Sequence, residues 1–127
     1  MNNSFEERKR GGQKFEEEMF NVFQKVNEIK HSSDRIVWIN EKPIFIEFKS
    51  SPFIEEKSWR DQNKIYHLGY RVIICFKKSG IIYADWIENI GITIPHPGTS
   101  GSFNPYCILS SDRYLEDFIK ELRKGRA

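Results

Sequence analysis

Two charged residues close an apolar run, Pro43-Ile44-Phe45-Ile46-Glu47-Phe48-Lys49, and no other stretch restricts the fold as much. The run is short, aromatic and β-branched, and a turn residue precedes it, so it reads as a β-strand. Side chains alternate along a strand. Ile44, Ile46 and Phe48 therefore share one face, and Phe45, Glu47 and Lys49 share the other. A strand this apolar is expected to be covered on both faces, where charge is costly unless paired or bound to a metal. Two readings follow: an edge strand carrying a solvated Glu/Lys pair, or a buried strand whose charges belong to a site. The partners that other segments supply decide between them.

The chain has 127 residues, enough for one domain with a core of its own. Its 20 Lys+Arg nearly balance 18 Asp+Glu, so total charge permits nucleic-acid binding without arguing for it. Basic residues do gather at the ends: Arg8, Lys9, Arg10 and Lys14, then Lys120, Arg123, Lys124 and Arg126. Such runs are more often solvated helix faces than binding sites. Cys75 and Cys107 lie in apolar runs without metal-type spacing and make no disulfide framework. A reducing, cytoplasmic compartment is the simplest expectation. The polar N-terminus does not read as a signal peptide, and no run approaches a membrane span.

Residues 1–12 read as a polar, flexible arm, with Gly11-Gly12 as a breaker. From Gln13 to about Ile29 the spacing of Phe15, Met19, Phe20, Val22, Phe23, Val26 and Ile29 is helical. On this wheel Glu17 faces the polar side and Glu18 its edge. A helix N-terminus favours acidic residues there. Glu16 falls inside the apolar arc, which the dipole does not explain. Next, Arg35-Ile36-Val37-Trp38-Ile39 and the Glu47 strand, joined by Asn40-Glu41-Lys42-Pro43, read as an antiparallel hairpin. Folding it brings Asp34 toward Glu47 and Lys49, although an Asp in that place also serves as a strand or turn starter.

About Glu55 to Leu68 reads as a helix ended by Gly69, with Trp59, Gln62 and Tyr66 on one side. Gln62 there is either a surface amide or a polar group aimed at a site. Tyr70 to Phe76 is the most apolar strand and is expected at the centre of the sheet. Ile81 to Ile87 gives a further strand. Residues 88–111 read as a long surface loop, with room for short strands at 92–94 and 106–109. Residues 112–124 read as an amphipathic helix with Ser111-Asp112 as its cap and Tyr114, Leu115, Phe118, Ile119 and Leu122 as its stripe. The fold class is α/β, a mixed sheet flanked by helices.

Glu16, Asp34, Glu47 and Lys49 thus come from a helix and a hairpin. A hard divalent cation such as Mg²⁺ takes one or two carboxylates, waters and phosphate oxygens. A lysine beside it can stabilise charge developing on a phosphate. Phosphodiester hydrolysis is the chemistry that uses this combination. His31, His67 and His96 are scattered without ligand spacing.

This pattern resembles the PD-(D/E)xK nuclease superfamily. Asp34 stands for its first aspartate, Glu47-Phe48-Lys49 for its E-x-K, and Glu16 for its first-helix glutamate. Ser33 takes the place of the motif's proline. The stretch Gly12-Gln13-Lys14-Phe15-Glu16-Glu17-Glu18-Met19 is similar to the start of archaeal Holliday junction resolvases. The passage Gln62 to Phe76 is similar to VRR-NUC nucleases, and Gln62 matches a helix glutamine of related families. The likeness spans about residues 11–87.

It implies a restriction-endonuclease-like core of a helix, three or four strands and a second helix. It also implies a Mg²⁺-dependent endonuclease, with Mn²⁺ able to substitute, acting on branched or duplex DNA as a homodimer. Asp34, Glu47, the Phe48 carbonyl and Glu16 would hold the metal. Lys49 would contact the phosphate or water, and Gln62 would position one of them. Arg8, Lys9, Arg10 and Lys14 would meet the DNA backbone. Restriction-like enzymes and RNases share the superfamily, and a non-catalytic nucleic-acid-binding module on the same fold is the rival from another class. The small size would suit a virus or mobile element.

Overall fold

In the computed structural model, residues 4–24, 32–33, 36–39, 41–93 and 105–125 are described. The chain opens with α1 (Ser4–Gln24), followed by β1 (Ser32–Ser33), β2 (Ile36–Ile39) and β3 (Lys42–Lys49). Then come β4 (Phe53–Glu55), α2 (Glu56–His67), β5 (Arg71–Lys78) and β6 (Ile81–Trp86). A short 3₁₀ turn (Ile87–Asn89), β7 (Gly91–Ile92), β8 (Tyr106–Ser110) and α3 (Leu115–Arg123) complete it. The main sheet has the order β1-β2-β3-β5-β6. β2 and β3 form the expected hairpin, in the register Ile36↔Phe45 and Ile39↔Lys42. β3 and β5 are parallel, joined across α2, and β6 returns antiparallel to β5.

β3 is therefore an interior strand, and the edge reading fails. Its alternation divides two cores. Ile44, Ile46 and Phe48 join Phe15, Met19, Phe23, Trp86 and Phe118 on one face, beneath α1 and α3. Phe23 is the keystone there. Its ring centroid lies 6.1 Å from that of Phe48 on β3 and 6.2 Å from that of Phe118 on α3. On the other face Val72, Ile74 and Phe76 of β5 pack with Ile54, Cys107 and Leu109, and Phe45, Trp59 and Tyr66 pack against them. β5 is an interior strand with Val72 to Phe76 buried throughout, but the middle of the five strands is β3 rather than β5, which lies next to the edge strand β6.

Three expectations need correction. Residues 4–12 are not an arm: α1 runs through Gly11-Gly12. A glycine costs a helix only about 1 kcal/mol relative to alanine, which the docking of Phe15, Met19 and Phe23 offsets. α1 is described as far as Gln24, and 25–29, the rest of the predicted helix, lie outside the described residues. Second, 88–111 is not simply a surface loop. β7 and β8 join β4, which the sequence did not signal, in a three-stranded sheet of order β4-β8-β7. Cys107 and Leu109 point from β8 into the second core, so this layer covers that face beside α2. Third, α3 begins at Leu115 rather than 112, and its cap residue Tyr114 makes no side-chain cap bond. The Ser111 hydroxyl instead accepts the Arg113 N–H at 3.1 Å, shaping the turn ahead of the helix. α2 ends as expected, with Gly69 at φ +103° in the left-handed region after the Leu68 cap.

Candidate functional site

Glu47 is held by its strand. The neighbouring apolar side chains on β3 fix the pleat, and the pleat turns Glu47 onto the Phe45/Lys49 face. It pairs laterally with Ile74 on β5 and is only 2% exposed. Burying a carboxylate so far costs several kcal/mol before any partner repays it. Lys49, two residues on, lies on the same face beside Phe76 and is half-buried. It makes no ion pair among the described residues. A buried carboxylate and an uncommitted ammonium thus stand side by side at the C-terminal end of β3.

α2 lies on the same side of the sheet, since Trp59, Ile65 and Tyr66 pack into the second core. Gln62, one helical turn from both Trp59 and Tyr66, is half-buried on that inward side. Gln62 thus sits on the helix face turned toward the second core, the side of the sheet that carries Glu47 and Lys49.

Glu16 is arranged differently. α1 covers the opposite face, where Phe20 and Phe23 flank Phe48. The wheel is right about its orientation: Glu16 is half-buried, while Glu17 and Glu18 are exposed. The sheet stands between α1 and the face that carries Glu47. α1 comes near the end of β3. There, a Cβ on Gly12 would lie 3.8 Å from the Ser50 Oγ, one residue past Lys49. Gly12 and Glu16 occupy one row of α1, a turn apart.

Asp34 lies outside the described residues. So do the side chains of Arg8, Lys9 and Arg10, whose backbone belongs to α1, whereas Lys14 is exposed on that helix. No three His, Cys, Asp or Glu groups cluster into a metal site among the described residues. The donors that are described at the site, the Glu47 carboxylate and the Phe48 carbonyl, are oxygens, and the Cys75 thiol paired laterally with Phe48 is buried in the core of the opposite face. Oxygen donors of this kind fit a hard cation.

One buried acid escaped the sequence reading. Asp85 is 7% exposed and pairs laterally with Ile74. Glu47, Ile74 and Asp85 therefore form one row across three strands. Asp85 is spent on structure. Its Oδ1 accepts the Trp86 N–H at 2.8 Å and the Asn89 amide at 3.3 Å, and it faces the Arg113 guanidinium at 3.5 Å. Its alternation between Ala84 and Trp86 was the available signal.

The fold and this placement define the class: an α/β chain whose mixed sheet, flanked by helices, carries a Glu-x-Lys strand in its middle. No protein-family model matches the chain, and no curated protein matches it in sequence. Among solved structures it is similar to Archaeoglobus fulgidus Hjc, a Holliday junction resolvase from an archaeal hyperthermophile. The two share 11% identity over 76% of this chain and 82% of that one, with a TM-score of 0.48. Among the described residues no helix is long and apolar enough to cross a membrane.

Proposed function

We propose that this chain is a metal-dependent endonuclease that hydrolyses phosphodiester bonds in DNA, with branched junctions as its first substrate class. The observation that carries the reading is the Glu47/Lys49 pair. A carboxylate at 2% exposure on an otherwise apolar interior strand, with an ammonium two residues on along the same face that makes no ion pair among the described residues, is a charge placement that supports a site. In this reading Asp34, Glu47 and the Phe48 carbonyl would hold a Mg²⁺ ion, for which Mn²⁺ could substitute, with Glu16 as a further ligand. When bound, such an ion neutralises phosphate charge and lowers the pKa of a water.

The chain's own side chains then have separate tasks. Lys49 holds a non-bridging oxygen of the scissile phosphate and stabilises the charge that builds there as the P–O bond breaks. Glu47, buried and fixed by the pleat, keeps its carboxylate oriented without reorganisation. Gln62, on the inward side of α2, positions the water or the phosphate. Lys14 and the basic residues Arg8, Lys9 and Arg10 meet the sugar-phosphate backbone, a contribution blind to sequence and sensitive to salt. Cutting two strands symmetrically calls for a C2 homodimer.

The test is cleavage by the full chain of a four-way junction, a linear duplex, a single strand and an RNA, each with Mg²⁺ and with EDTA. Junction cleavage that EDTA abolishes is the expected result. Binding without cleavage under any divalent metal would leave the non-catalytic module instead.

A further inference from the structure

The parallel strands β3 and β5 end at the same edge of the sheet, and the lysines there are not confined to the Glu-x-Lys strand. Lys49 pairs with Phe76, and β5 continues directly into Lys77 and Lys78 before turning into β6. The turn is a two-residue hairpin loop, Ser79-Gly80, closed by the pair Lys78↔Ile81. Both loop residues have positive φ, +52° for Ser79 and +78° for Gly80. That is the requirement of the tight turn whose twist matches the flanking strands. The hairpin tip is therefore a fixed element, although both of its lysines are exposed. Neither makes an ion pair among the described residues, and neither does Lys49.

The pleat assigns the two lysines to different faces. Lys78 follows Phe76 by two residues, so it shares the face of Glu47 and Lys49. Lys77 follows Cys75 and takes the face that α1 covers. By strand geometry the Cα atoms of Lys49 and Lys78 lie about 8 Å apart, one strand across and two residues along. Their long side chains can then hold neighbouring phosphates of one strand. Lys77 reaches the same strand where it passes over the sheet edge. Ligands of open sheets with parallel strands commonly sit at the carboxyl ends of those strands, and this is that end.

We infer that the Lys77-Lys78 hairpin tip is a phosphate-backbone clamp, gripping the nucleic-acid strand next to the phosphate that Lys49 holds. The inference rests on the nuclease reading for its partner, and extends it by a binding element outside the Glu-x-Lys strand and the basic helix start. The clamp positions substrate; it takes no part in bond breaking.

The experiment measures binding in EDTA, where turnover is absent. Anisotropy of a labelled DNA duplex and a labelled four-way junction is followed against salt for the full chain, for Lys77→Ala/Lys78→Ala and for Lys77→Arg/Lys78→Arg. A further double variant, Lys57→Ala/Lys64→Ala on α2, removes the same charge elsewhere. Each phosphate neutralised contributes roughly 0.9 to the slope of log K against log salt on duplex DNA. The hairpin alanines are expected to reduce the slope by about 1.8, the arginines to keep it, and the α2 alanines to keep it.

An unchanged slope in the hairpin alanines, or an equal loss in the α2 alanines, overturns the clamp while leaving the nuclease reading intact. Loss of slope confined to the hairpin, in a protein that cleaves nothing with Mg²⁺, keeps the clamp and removes the nuclease. Failure of the parent to bind nucleic acid overturns both.

Discussion

Phe20 and Phe23 both place a ring against Phe48, at 6.3 and 6.1 Å, yet removing them should have different consequences. Phe23 is fully buried and also meets Phe118, so it ties α1 to both β3 and α3. Phe20 is half-buried and is partnered by Phe48. A Phe→Ala change at a fully buried site costs about 3–5 kcal/mol, the transfer term plus a cavity. Two aromatic pairs at roughly 0.5–1.5 kcal/mol each place Phe23 toward the upper half of that range. A half-buried ring with one such pair should cost roughly 1–2 kcal/mol.

With a urea m-value of about 2 kcal/mol/M for a chain of this size, Phe23→Ala should lower the midpoint by about 2 M. Phe20→Ala should lower it by less than about 1 M. Domains of this size hold only about 5–15 kcal/mol in total, so Phe23→Ala leaves a folded but fragile protein. Urea unfolding followed by far-UV circular dichroism, with m compared across the three proteins, is the assay. Equal midpoint shifts for the two variants, at unchanged m, would refute the placement of α1 on the Ile44/Phe48 face.

Three further outcomes follow from local geometry. A Cβ on Gly91 would lie 2.6 Å from the Ser110 Oγ, so Gly91→Ala should cost about 1 kcal/mol and Ser110→Ala in the same chain should recover most of it, read as thermal midpoints. Asp85→Ala removes a turn cap and leaves the Arg113 guanidinium without its carboxylate; a loss of about 3 kcal/mol in urea is expected, and a loss under about 1 kcal/mol contradicts the role given to Asp85. Burial raises the Cys75 thiol well above its ordinary 9.0, so it stays protonated in the folded chain while the unfolded chain ionises. The unfolded state then binds fewer protons, and stability falls as pH rises past about 9 toward the folded pKa, by up to about 1.4 kcal/mol per pH unit. Cys75→Ala should lack that limb, and parallel stability curves for the two proteins would count against it.

Much of this architecture can be read from alternation. Ile44, Ile46 and Phe48 against Glu47 and Lys49 is a period-2 pattern that survives in the structure as two separate cores. The α1 wheel likewise places Glu16 inside the apolar arc, between Phe23 and Phe20, and Glu16 is half-buried while Glu17 and Glu18 are exposed. What misleads is local punctuation overruled by tertiary packing. Gly11-Gly12 looks like a stop because propensity is counted residue by residue, whereas α1 gains its stability from the face it buries. Strand β8 falls on the short strand expected at 106–109, but β4 and its pairing with β8 were hidden for a different reason. Phe53 finds Ile108, 55 positions away, and three-residue strands carry too little periodicity to announce such a pairing. The side of the sheet on which a helix lies is equally invisible in a wheel: α1 and its Glu16 lie on the Phe48 face, opposite the face of Glu47.

The account stands or falls on the Glu47/Lys49 pair. Its most direct test is single-turnover cleavage of junction DNA by the parent, Glu47→Gln and Lys49→Ala, with DNA binding and the urea midpoint measured on the same samples. Cleavage should fall by at least about 100-fold in Lys49→Ala and to background in Glu47→Gln, while both variants stay folded and bind DNA. Cleavage at parental rates by either folded variant would contradict the site.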